Sequence, residues 1–180
     1  MADQDPIPGG NGSAEPGFEP QVSVLAQYIK DLSVENPSAP QVFQWQVQPT
    51  LDVQFHINVE NIAEDVHEVS LKIEVTARSE NGVHFVVDLS YAGLFGIRGM
   101  PEESMGPMLL IECPRLIFPF ARQVIADAVS NAGFPPLLLD PIDFAGAYLS
   151  QIQAQQPAGD DPAIGDGTKA SDGDEGSGQA

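Results

Sequence analysis

The chain has 180 residues, 42% of them apolar, with a formal charge of −19 and a single cysteine. That length supports one buried core and one domain. The acidity excludes a nucleic-acid or anionic-membrane binder and points to basic partners or basic substrates, and one cysteine excludes an internal disulfide.

Two stretches lack the apolar content that would offset chain ordering. Residues 1–20 hold four acids and no base, and residues 157–180 hold six acids and one lysine among Gly, Asp, Ala and Ser. Both are expected to be disordered acidic tails, leaving a folded domain over 21–156 with a net charge of −10 from sixteen acids and six bases. No base precedes Lys30 and no run of about 18 apolar residues exists, so neither a secretory start nor a spanning helix is expected. Together with the lone cysteine this predicts a soluble cytoplasmic protein with no direct membrane insertion.

The first element is a strand over 22–34, with Val22, Val24, Ala26 and Tyr28 in one phase and Leu32 and Val34 continuing it. Asp31, Ser33 and Glu35 then share the opposite face before Pro37 and Pro40 stop the pattern. Residues 50–60 alternate Leu51, Val53, Phe55, Ile57 and Val59 with polar residues, which predicts a strand with one buried and one wet face. Residues 66–78 repeat this with Val69, Leu71, Ile73, Val75 and Ala77.

Asn81-Gly82 signals a hairpin into a strand carrying Phe85, Val87, Leu89 and Tyr91. A three-residue loop, with Glu80 opposite His84 and Gly82 as bulge glycine, pairs Val75 with Leu89 and Ala77 with Val87. Parity then puts Val86, Asp88, His56 and His84 on the wet face. Four strands in meander-like order form an antiparallel sheet.

From 115 to 132 the period becomes helical, with Gly133 placed to end the helix and Pro119 at its first turn or a kink. A second helix is expected over 141–155, with Ile142, Ala145, Leu149 and Ile152 along one side, Asp140 as cap and Pro141 first. The fold class is therefore α+β, a four-stranded antiparallel sheet packed on two C-terminal helices. Between them, 93–112 is rich in Gly and Met and carries Leu94, Phe95 and Ile97, an apolar surface two helices leave only partly covered. Met100, Met105 and Met108 there suit either core filling or a surface that accepts many partners.

Chemistry is sparse. Asp31 and Glu35 lie about 13 Å apart along a strand, too far for shared acid–base work. The three histidines fall in three strands with no pair at ligand spacing, and Cys113 is expected as a small buried hydrophobe. No nucleophile elbow, phosphate loop or dinucleotide fingerprint is present. An enzyme or ligand-binding domain centred on the Gly/Met segment thus lacks a constellation to carry it.

"KDLSVENPSAP-VF", the hairpin, "GLFGI", "CPRLIFPFAR" and "FPPLLLDPIDFAGAYL", in that order across about residues 24 to 151, resemble the SecB family of bacterial protein-export chaperones. The resemblance implies a SecB-like fold and a homotetramer assembled as a dimer of dimers. It implies an ATP-independent holdase, not an enzyme and without cofactor or metal, that keeps secretory precursors unfolded and passes them to the motor ATPase SecA. It further implies SecA docking, partly through that partner's basic zinc-bearing tail, on a face marked by Asp31, Glu35, Val86 and Asp88. Client binding is expected near Phe43, Trp45, Val47, Leu94, Phe95, Ile97 and Met100. One departure stands out: the family commonly has Trp where this chain has Val47, whereas Trp45 lies two residues earlier, on the same side by parity. A SecB-like chaperone devoted to a narrower client, such as an antitoxin, is the alternative.

Overall fold

The computed structural model describes residues 20–155; the two expected tails lie outside the described residues, Pro20 apart. Four strands, β1 (Gln21–Glu35), β2 (Thr50–Ala63), β3 (Val66–Ser79) and β4 (Gly82–Arg98), form one antiparallel sheet. Helices α1 (Glu102–Pro107), α2 (Cys113–Asn131) and α3 (Phe144–Gln155) follow. The strand order is β1-β4-β3-β2. β2, β3 and β4 form the expected meander, but β1 lies beside β4 instead of β2, a Greek-key arrangement. Residues 36–49 therefore cross from one sheet edge to the other, past the β3–β4 hairpin.

The period-2 pattern builds the core. Val69, Leu71, Ile73, Val75 and Ala77 of β3 and Phe85, Val87, Leu89 and Tyr91 of β4 are buried beneath Ile117, Ala121, Ile125 and Val129 of α2. At roughly 1.5–3 kcal/mol per fully buried large aliphatic or aromatic side chain, this layer is the main favourable contribution to folding. α2 packs closely on β4 at Gly93, where a Cβ would lie 2.9 Å from Cγ2 of Ile117 and 2.7 Å from the Phe95 ring.

Three bulges change what simple alternation implies. In the hairpin Ser79 pairs with Gly82, Arg78 with Val83 and Ala77 with Phe85, so Val75 faces Val87 and Ile73 faces Leu89. The expected pairing of Val75 with Leu89 is thus displaced by two residues: the loop is the two-residue Glu80-Asn81, and His84 is the extra residue that restores the faces. His84 accordingly turns inward, at 5% exposure, instead of to the wet face. In β1 the register shifts at Leu25 and at Lys30. Val22, Val24, Ile29, Leu32 and Val34 therefore share the helix side, opposite Ile97, Phe95, Tyr91, Leu89 and Val87, while Ala26 and Tyr28 pass to the outer face.

The helical region begins earlier than its periodicity shows. α1 and a π-helical turn over Met108–Glu112 lead directly into α2, so the Gly/Met segment is strand to Arg98 and helix from Glu102. Pro107, Pro114 and Pro119 conceal this, because each removes an N–H that an α-helix would use; the wider π turn accommodates the interrupted bonding. Pro119 lies inside α2, beyond its first turn. Helix α3 starts at Phe144, and its cap is Asp143, whose Oδ1 accepts from the Gly146 N–H at 3.0 Å, instead of Asp140. Its buried anchor is Phe144, whereas Leu149 and Ile152 are exposed.

Candidate functional site: an aromatic cleft and an acidic sheet face

An open cleft of about 470 Å³ lies at the hairpin end of the sheet. One wall is the crossing segment, with Phe43, Trp45 and Val47; the other is the turn after α2, Phe134 to Leu137; Leu51, His84 and Phe85 form the floor. A short 3-10 turn, Gln41–Gln44, seats this wall by burying Val42 while leaving Phe43 55% exposed. Aromatic rings line the interior: Phe43 to Phe134 at 5.6 Å, Phe85 to Phe134 at 5.0 Å, and Trp45 edge-on to His84 at 5.0 Å between centroids. Asn36 Nδ2 donates to the Ala132 carbonyl at 3.4 Å, tying the crossing segment to the end of α2.

The seven residues expected around a client surface do not stay together. Phe43, Trp45 and Val47 converge in the cleft. Phe95 and Ile97, at 0% and 2% exposure, belong to the core and offer no surface. Leu94 lies half-buried on the outer face, opposite Ala26 and Glu68. Met100 packs partly buried against the core with Met105 and Met108, so these thioethers act as core filling. Leu51, His84, Phe85 and Phe134 to Leu137 complete the cleft without having been expected there. For the last group a signal existed, since "FPP" joins a large aromatic to two rigid prolines directly after a helix.

The outer face collects the acidic residues. Glu35 pairs with Val86, Ser33 with Asp88 and Asp31 with Ser90, so Asp31, Glu35, Val86 and Asp88 share one face of two neighbouring strands. Asp88 is not free: Lys72 Nζ lies 3.2 Å from it and 3.1 Å from Glu74. Bonding first to Glu74 and then to Asp88 raises the Lys72 pKa. Further along, Lys30 Nζ and the Tyr28 hydroxyl both donate to the Glu68 carboxylate, which is 7% exposed. Lys30 first and Tyr28 second hold Glu68 below the usual carboxylate range against the opposing effect of burial. The same bonds to Glu68 raise Lys30 and Tyr28. Both lysines of this face are thus engaged by carboxylates, whereas Asp31 and Glu35 make no ion pair among the described residues.

Cys113, the first residue of α2, is fully buried and its thiol is pushed up to about 12 by that burial, so it packs as a hydrophobe. No helix among the described residues is long and apolar enough to cross a membrane.

An antiparallel sheet backed by helices on one side, with an open aromatic cleft at its hairpin end and acidic residues on the opposite face, defines a protein of the α+β class. The chain belongs to the SecB family of protein-export chaperones: the family model described as preprotein translocase subunit SecB matches residues 15–155. Protein-export proteins SecB are similar over most of its length. That of Sphingopyxis alaskensis is 47% identical over 92% of this chain and 99% of its own. That of Zymomonas mobilis is 51% identical over 82% and 93%, and that of Rhizorhabdus wittichii 53% over 78% and 89%. Among solved structures, a SecB-like chaperone of Mycobacterium tuberculosis in complex with an antitoxin peptide superposes with a TM-score of 0.56 at 18% identity, covering 67% of this chain and 90% of that one. This likeness concerns the fold.

Proposed function

We propose that the chain captures unfolded secretory precursors in the aromatic cleft and transfers them to SecA from the acidic sheet face, in the cytoplasm and without nucleotide. One observation carries this: Phe43 and Val47 stand 55% and 39% exposed beside an open ring-lined cleft, where apolar side chains of an unfolded chain gain burial in no fixed direction. The acidic surroundings, with Asp31 and Glu35 unpaired on the outer face, favour basic clients and a basic docking tail. Capture needs only exchange of apolar surface, so a folded client that has buried its own is not held.

The proposed assembly is a homotetramer, a dimer of dimers. Val24, Ile29 and Leu32 on the helix side of edge strand β1 are 43%, 47% and 39% exposed, and Leu116 and Phe120 on the outer side of α2 are 47% and 51% exposed. An apolar surface of this extent on a sheet edge and a helix calls for a second copy. Native mass spectrometry with and without an unfolded precursor tests both statements; a monomer that acquires no precursor would refute them. A chaperone devoted to a narrower client such as an antitoxin is the second reading, the Mycobacterium chaperone of like fold being in complex with an antitoxin peptide, but the export proteins' identities of 47–53% favour the general role.

A further inference from the structure

The bulge in the β3–β4 hairpin places an imidazole inside the cleft. His84 is the residue left over between the Ala77–Phe85 and Arg78–Val83 pairs, so it and Phe85 both turn inward. Its ring is 5% exposed, edge-on to Trp45 at 73° and 6.5 Å from Phe134. Nε2 lies 2.9 Å from Ser79 Oγ, and that oxygen also accepts from the Asn81 N–H at 3.3 Å. The Asn81 N–H takes one lone pair of the Ser79 hydroxyl, which keeps a second lone pair and its own proton, so it donates to an imidazole with a bare Nε2 and accepts from one that carries a proton there. Trp45 also lies close to Gly82, at φ +139°, where an added Cβ would come within 3.2 Å of Cη2.

No other residue lining the cleft has an ionisable side chain. The crossing segment 41–49 and the turn 134–137, which pack on His84, contribute none, and on the hairpin the flanking charges are Arg78 and Glu80, both exposed. A proton on His84 thus meets no carboxylate in the cleft. It makes Nε2 the donor in the Ser79 hydrogen bond and turns an apolar contact surface into a cation that a bound chain would have to dehydrate.

We propose that His84 is a positioning residue for Trp45 and that its protonation weakens capture of apolar polypeptide segments by the cleft. This rests on the cleft being the client site and adds the control of that site by pH. The effect is local, since His56 lies exposed on β2 and His67 at the far end of β3 from the hairpin.

The test uses the full chain, whose single tryptophan is Trp45. Its emission is followed without ligand between about pH 5.5 and 8, because a charged imidazole quenches a neighbouring indole. A peptide of Phe, Leu, Ser and Lys, with rhodamine on its N-terminal amine so that no peptide group titrates in that range, then reports affinity by anisotropy. The parent is expected to show one emission step and about tenfold weaker peptide binding at the acid end. His84→Gln should abolish both, while His56→Gln and His67→Gln keep both. A parent without an emission step, or a step that persists in His84→Gln, overturns the proposal. Should His84→Gln fail to fold, His84→Phe, which keeps a ring, takes its place with the same expectation. A parent whose emission steps but whose peptide affinity is constant with pH overturns the control of capture. A parent that binds no peptide at any pH refutes the client site itself, and the control with it, leaving only the contact of the two rings.

Discussion

Reversing the charge of Asp31 separates docking from folding. Asp31 is exposed on the outer face opposite Ser90 and makes no ion pair among the described residues, so Asp31→Lys removes no internal contact and should change stability by less than about 0.5 kcal/mol. Its effect on a basic partner is larger. A unit charge about 4 Å away in water interacts by about 1 kcal/mol, the substitution changes the charge by two units, and physiological salt screens part of the difference. The expected loss is about 1–2 kcal/mol, or roughly 5- to 30-fold in affinity. Asp88→Lys is a less clean probe, because it also strips Lys72 of a partner at 3.2 Å and sets two ammonium groups side by side. Its melting temperature should fall further than that of Asp31→Lys. The assay is calorimetric titration of each variant against SecA and its basic tail at two salt concentrations. Unchanged affinity for Asp31→Lys at low salt, with the parent's binding insensitive to salt, would refute docking on this face.

Other outcomes follow from burial and bonding. Glu68→Gln should destabilise by about 1–2 kcal/mol in urea unfolding at neutral pH, the lower end because Lys30 is 42% exposed and partly screened by water. Since the folded protein holds Glu68 below the usual carboxylate range, its contribution is complete above an unfolded value of about 4.3 and is lost as pH falls through the folded value. Parent stability should therefore drop more steeply than that of Glu68→Gln in acid, and equal slopes would contradict the network. Phe95→Ser should cost at least about 3–5 kcal/mol, the range for emptying a buried Phe site, and should unfold the chain instead of selectively impairing capture. Cys113 should stay unreactive toward a thiol reagent at pH 8 until the protein unfolds, consistent with a thiol pushed up to about 12; rapid modification of the native chain would place it outside the core.

The local alternation at 51–59, 66–78 and 85–91 was legible because each residue pattern is set by one wet and one dry face. Phe95 and Ile97 continue the parity of Phe85 through Tyr91, which marks them as buried, but the glycines of "GLFGIRG" interrupt the alternation and conceal it, so they read as client surface; Gly93 only makes room for Phe95 and α2. The bulges at Leu25, Lys30 and His84 carry no glycine or proline of their own and shift phase without a local mark. β1 beside β4 is a pairing between distant segments, beyond what any single window encodes. The acidic face depended only on parity near Glu35 and Val86, where no bulge intervenes, so its four residues do share a face. The cleft depended on three segments that the Greek-key crossing brings together, so only its first wall could be named.

The most direct test of the account is capture of an unfolded secretory precursor by the Phe43→Ser/Val47→Ser double variant. Phe43 is 55% and Val47 39% exposed and neither belongs to the buried core, so the fold and assembly should survive as judged by circular dichroism and native mass. The account predicts that the folded variant loses affinity by about tenfold or more, the scale of two apolar contacts at roughly 1 kcal/mol each, and no longer suppresses precursor aggregation at a concentration where the parent does. Undiminished capture by a correctly folded and assembled variant would contradict it and place the client elsewhere on the molecule.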